Sequence, residues 1–118
     1  LVAKQVSSIA CLSDNRLGLG VGLSPWPEDF QALGVPWEKR GKRMDECMDI
    51  LRGLTSGEFF GYDGEFHSFP ALKQCPAPTE PIPLLIGTPL PVPAAGAVRV
   101  TGSFANERRR TFLRLRTI

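Results

Sequence analysis

The sequence predicts an α/β fold, with parallel strands joined by helical crossovers, and three features carry that prediction. Two short apolar runs, LGLGVG at 17–22 and LLIG at 84–87, are each bounded by turn residues, as buried strands are. A long amphipathic segment lies between them, and a second amphipathic segment ends just before the first run. The order helix, strand, helix, hairpin, strand is that of parallel strands connected by right-handed crossovers. One such β-α-β unit cannot cover both faces of its own strands, so it is expected to belong to a larger α/β body.

Each element follows from local pattern. In residues 2–12, VAKQVSSIACL, the residues Val2, Val6, Ile9 and Ala10 recur at helical spacing, with Lys4, Gln5, Ser7 and Ser8 elsewhere. SDN at 13–15 is a turn, and Asn15 suits the left-handed conformation that closes a helix. SPWPEDFQALGVP at 24–36 has three prolines and no sustained period, which predicts a long loop with one helical turn around 29–33. Pro36 suits the first turn of the next helix. Trp37, Met44, Cys47, Met48, Leu51 and Leu54 then define its apolar face, and Gly57 its stop. Glu38, Lys39, Arg40, Lys42, Arg43, Asp45 and Glu46 read as a solvated face with local ion pairs. In FFGYDGEFHSF at 59–69, Asp63 and Gly64 predict a two-residue hairpin turn between aromatic arms. A Pro-rich connector, PALKQCPAPTEPIP, leads to the last strand.

Composition narrows the chemistry. The 118 residues are 42% hydrophobic and 22% charged, as expected of a globular protein. Cys11, Cys47 and Cys75 form neither a disulfide framework nor a metal motif, so free thiols are expected, with Cys47 in the core. His67 alone makes no metal site, and no metal is predicted. On its hairpin, among Phe66 and Phe69, it reads as a packed or surface imidazole rather than a base. No apolar run reaches membrane-spanning length, and no secretion signal follows Leu1, which predicts a cytoplasmic chain without membrane contact. Because Leu1 is not Met, the chain is expected to begin inside a longer one. Residues 1–87 carry eight Lys and Arg against eleven Asp and Glu, a net of −3, whereas 88–118 carry six Arg against one acid, a net of +5. The sequence changes character near Thr88.

Gly18, Gly20 and Gly22 fit neither common nucleotide loop. A GxGxxG fingerprint would need glycine at Leu23 or Pro25, and no Walker A lysine follows. Glycine in a strand also lets a flat ligand or another backbone approach closely. At the C-terminal strand ends of a (β/α)₈ barrel, where active sites form, Gly20, Gly22 and the Leu23-Ser24 junction would serve that purpose. The other reading is that these glycines relieve crowding inside the barrel.

The stretch AKQVSSIACLSDNRLGLGVGLSPWPEDFQALGVPWEKRGKRMDECMDILRGL, followed by YDGEFHSFP, CPAPTEPIP and LLIG, resembles the luciferase-like oxidoreductases, particularly the branch that depends on the deazaflavin coenzyme F420. The resemblance implies a partial (β/α)₈ barrel: the third helix, the fourth strand with its long loop, the fourth helix with a hairpin insertion, and the fifth strand. It also implies F420, or else FMN, as cofactor, a small-molecule substrate and a homodimeric parent. Gly20, Gly22, Leu23 and Ser24 would then form part of the cofactor wall, and Gly87 would match the first of paired glycines near the cofactor phosphate, with Thr88 replacing the second. Where some relatives place a proton-donating glutamate after this strand, Pro25 stands and Trp26 follows; Glu28 is a weak substitute. Trp26 and Trp37 could stack on a ring or anchor the loop, Trp37 being expected against the barrel. No residue is assigned as catalytic.

The resemblance ends at Gly87, which divides the chain into a barrel fragment, 1–87, and a Pro-, Ala- and Arg-rich tail, 88–118, expected to be out of frame or disordered. Two other functional classes are weighed. The chain could be a non-enzymatic remnant or interaction fragment, since an isolated part of a barrel exposes apolar surface and strand edges. Alternatively Arg108, Arg109, Arg110, Arg114 and Arg116 could form a basic arm on phosphates; nucleic-acid binding is not expected, because no nucleic-acid fold accompanies the arm.

Overall fold

A computed structural model describes residues 1–87 and the backbone of 98–101. Helix α1 (Val2–Leu12) buries Ala3, Val6, Ser7 and Ala10. The predicted stripe shares only Val6 and Ala10 with this face; Val2 and Ile9 are half-exposed. Small side chains form the inner face instead. The buried hydroxyl Oγ of Ser7 accepts a hydrogen bond from Gln74 Nε2 (2.8 Å), which also donates to the Ala3 carbonyl (3.0 Å). A Gln74→Ala variant leaves that buried hydroxyl without its donor and is expected to lose about 1–2 kcal/mol, read as a lowered urea midpoint. An unchanged midpoint would mean the contact contributes nothing. The helix closes as expected through Asn15 (φ 57°), whose N–H donates to the Ala10 carbonyl (2.8 Å), with Asp14 (φ 53°) also left-handed.

Strand β1 (Leu19–Gly22) is two residues shorter than predicted, and it is half-buried rather than buried. Helix α2 (Pro27–Ala32) starts earlier than expected because Pro27 presets the first helical φ. Helix α3 (Arg40–Leu54) starts later, since Lys39 (φ 56°) interrupts the helical backbone and leaves Pro36 and Trp37 outside. Trp37 packs edge-on against Phe30 of α2 (5.1 Å between ring centroids). The Arg40 guanidinium lies 3.6 Å from its ring centre. The indole therefore ties the loop to the start of α3.

Strands β2 (Phe60–Asp63) and β3 (Ser68–Leu72) form the predicted antiparallel hairpin, with Phe60, Tyr62 and Phe69 clustered. Helix and hairpin approach so closely at Gly53 that a Cβ there would overlap the Phe60 ring. The predicted two-residue turn is corrected: Asp63 pairs with Ser68, so the loop is the four residues 64–67. Its shape is imposed from outside the hairpin, by Glu46 of α3.

Strand β4 (Leu84–Gly87) pairs parallel with β1, placing Leu19 beside Leu84 and Gly22 beside Gly87. Strand β5 (Val98–Thr101) pairs antiparallel with β4 on its other side, giving the order β1-β4-β5. It arises within the segment read as a tail; the proposed basic arm at 108–116 lies outside the described residues. Among these residues Ala3, Val6, Ala10, Met48 and Leu84 are the buried apolar groups. They lie on α1, α3 and β4. Cys47 is half-buried rather than core, and burial pushes its thiol pKa up, whereas Cys11 and Cys75 are exposed free thiols. No described helix is long and apolar enough to cross a membrane.

Candidate functional site

Side chains alternate between faces along a strand, and in a parallel pair residues in register share a face. Leu19, Val21, Leu84 and Ile86 therefore occupy one face of β1 and β4, on which Leu84 is buried. Gly20, Gly22 and Gly87 occupy the other, together with Leu85. At the C-terminal ends of both strands this second face has no side chains.

The described residues leave space around these glycines. A Cβ added to Gly20 would meet nothing within 4 Å. At Gly22 it would lie 3.9 Å from the Gly87 carbonyl, and at Gly87 it would lie 3.7 Å from the Val21 carbonyl, both ordinary contacts. Crowding among the described residues thus does not require glycine at any of the three. Leu85, beside Gly20, is the one side chain that β1 and β4 place on this face.

Leu23 follows Gly22 directly in the chain and is partly exposed. Ser24 follows, but its hydroxyl is engaged with the loop: it donates to Asp29 Oδ2 (2.5 Å) and accepts from the Trp26 N–H (3.2 Å). This arrangement fastens the exit of β1 to α2. Glu28 is exposed in the first turn of α2, and the Trp26 side chain is 63% exposed. The structure thus brings Gly20, Gly22 and Gly87 together on one face, leaves Leu23 beyond the end of β1, and turns the Ser24 hydroxyl toward Asp29.

Two other features stand apart. A cleft of about 330 Å³ lies at the opposite, N-terminal end of β4, lined by Arg52, Thr55, Ser56, Thr79, Ile82 and Leu84. His67 lies on the hairpin, where its Nδ1 is 3.1 Å from Glu46 Oε2. Glu46 was expected on a solvated face, but its side chain is only 12% exposed and is the partner that sequence reasoning missed. The described residues contain no cluster of His, Cys, Asp and Glu able to hold a metal.

The sequence profile of the luciferase-like monooxygenases matches residues 1–102. The chain belongs to the luciferase-like monooxygenase family. Among its relatives, an uncharacterised protein of Mycobacterium tuberculosis is 61% identical over 87 residues, covering 74% of this chain and 30% of that protein. A 5,10-methylenetetrahydromethanopterin reductase of Archaeoglobus fulgidus is 38% identical over 87 residues, covering 74% of this chain and 26% of the reductase. An F420-dependent glucose-6-phosphate dehydrogenase of Gordonia bronchialis is 28% identical over 108 residues, covering 88% of this chain and 32% of the dehydrogenase. The chain therefore spans under a third of the length of these relatives. The crystal structure of a monooxygenase from Streptomyces bottropensis superposes with a TM-score of 0.67 at 24% identity, covering 72% of this chain and 26% of that one. The α/β fold is thus shared with a solved monooxygenase.

Proposed function

We propose that this luciferase-like chain supplies part of the cofactor wall of an oxidoreductase that uses F420, with FMN as the second choice. In this reading β1 and β4 are the fourth and fifth strands of a (β/α)₈ barrel, and α3 with its hairpin is the crossover between them. The observation that carries the reading is the bare face made by Gly20, Gly22 and Gly87 at the C-terminal ends of adjacent parallel strands. A flat tricyclic ring can approach a backbone closely where no Cβ intervenes, and these residues fit that requirement. F420 dependence in the Gordonia relative favours F420 over FMN.

When bound, the cofactor supplies the redox chemistry, while the protein provides position and electrostatics. Gly20 and Gly22 would admit the ring, Leu23 would border it, and Gly87 would bring backbone close to a phosphate. The Ser24-Asp29 hydrogen bond holds the loop that leaves this surface. None of the described residues is assigned a proton-transfer role. The proposed setting is cytoplasmic, with a small-molecule substrate and a homodimeric parent enzyme.

A second reading, a non-enzymatic interaction fragment, is favoured by the exposure of Leu1, Leu12, Leu33 and Phe59, each more than 70% exposed. Fluorescence titration of the chain with F420 and with FMN separates the readings. Saturable binding at micromolar concentration, tighter for F420, is expected from the cofactor-wall reading. Absence of binding together with a molten circular-dichroism spectrum would support the interaction fragment instead.

A further inference from the structure

The hairpin loop 64–67 is organised around one side chain from another element. Glu46 Oε1 accepts from the backbone N–H of Glu65 (2.6 Å) and of Phe66 (3.3 Å). Its second oxygen, Oε2, accepts from the N–H groups of Phe66 and His67, both at 3.1 Å. His67 Nδ1 lies at the same distance from Oε2 and completes the set when that nitrogen carries the proton. Three successive amides converging on one anion form a nest of the kind that binds phosphate or carboxylate groups elsewhere. Gly64 permits the approach, because a Cβ there would come within 2.5 Å of Glu46 Oε1.

We propose that the 64–67 loop is an anion receptor whose resident ligand is the Glu46 carboxylate, making the tip of the hairpin a latch that holds to α3 while Glu46 is ionised. The hydrogen-bond geometry carries this assignment, and the surrounding charges are consistent with it. On α3, Arg43 faces the loop with its guanidinium over the Phe66 ring (4.7 Å), and Cys47 and Asp49 lie on the same helix. From the hairpin come Tyr62, Asp63, Glu65 and His67; Lys39 pairs with Glu65, and Lys42 lies near it. Asp63 is engaged by the Ser68 hydroxyl. Glu65 is held ionised by its hydrogen bond from Lys39, against some desolvation. Burial, opposed to the Tyr62 phenolate and reinforced by the Glu46 charge, keeps Tyr62 protonated.

For Glu46 itself burial favours the neutral acid, but the bonds from His67 and from the amides of residues 65, 66 and 67 outweigh it and hold the carboxyl below the usual carboxylate range. A group whose pKa is depressed by folding contributes stability above its unfolded value. That contribution is lost as pH falls through the folded value. The latch is therefore closed at neutral pH and opens only below the ordinary carboxylate range.

Amide hydrogen exchange on the full chain tests this, comparing wild type with Glu46→Gln at each pH so that intrinsic exchange rates cancel. The glutamine amide nitrogen replaces one acceptor oxygen with a donor. At neutral pH the amides of 65–67 are expected to exchange about tenfold faster in the variant, with α3 amides such as that of Met48 unchanged. In wild type the same three amides should lose protection in acid before the α3 amides do. Should Glu46→Gln fail to fold, the wild-type acid profile alone decides. Equal protection of 65–67 in both proteins, or loss in wild type only together with α3, would overturn the latch.

Discussion

Replacing Gly20 by leucine is expected to weaken F420 binding about a hundredfold while leaving the stability of the chain within about 0.5 kcal/mol. Both halves follow from the same geometry. Gly20 has ordinary strand backbone with no left-handed φ, and a side chain there meets no neighbouring atom of the described residues. Leucine therefore fits the fold without strain. It would nevertheless stand on the surface proposed for the ring, where close approach to backbone is the property at stake. Affinity from fluorescence titration and the denaturation midpoint, measured on the same preparation, check the two halves. Unchanged F420 affinity in a folded variant would remove Gly20 from the cofactor wall.

Leu84→Ala is expected to do the reverse. Leu84 is 5% exposed on the opposite face of the same strands and is the one buried residue of β1 and β4. Truncating a buried leucine costs about 2–5 kcal/mol, depending on how far the site collapses. That is a large share of the 5–15 kcal/mol typical of a folded domain. The denaturation midpoint should drop accordingly, whereas F420 affinity measured under conditions where the variant remains folded should change little. A loss below about 1 kcal/mol would mean that this face does not anchor the sheet. Together the two variants assign separate roles to the two faces of one parallel pair.

The sequence was most legible where structure depends on period. The amphipathic spacing of Met44, Cys47, Met48 and Leu51 marks α3, and the apolar runs mark β1 and β4. Turn chemistry located the end of α1 at Asn15 and the hairpin near Asp63. Period does not report which polar residues are drawn inward by distant partners. Ser7 is buried because Gln74, 67 positions away, supplies its hydrogen bond. Likewise the two-residue turn expected at Asp63-Gly64 gives way to a longer loop because Glu46 collects amides about twenty positions further on. The start of α3 moved for a local reason that pattern does not encode, the left-handed backbone of Lys39.

The candidate site was legible in a different way. Gly20, Gly22 and Gly87 could be named from the sequence, but whether bulk was forbidden there or merely absent required the neighbouring atoms. The registry of β1 with β4 aligns Gly22 with Gly87, and among the described residues nothing lies within 4 Å of a Cβ placed on Gly20. Ser24 illustrates the converse. Its position after β1 was apparent, while its engagement with Asp29 depends on α2 beginning at Pro27.

The most direct test is an amide chemical-shift map of the chain during titration with F420. The cofactor-wall account predicts the largest perturbations at Gly20, Gly22, Leu23 and Gly87, with little change at Thr55 and Thr79 beside the cleft at the other end of β4. Perturbations centred on Thr55 and Thr79, or saturating binding that leaves the three glycine amides unmoved, would contradict it.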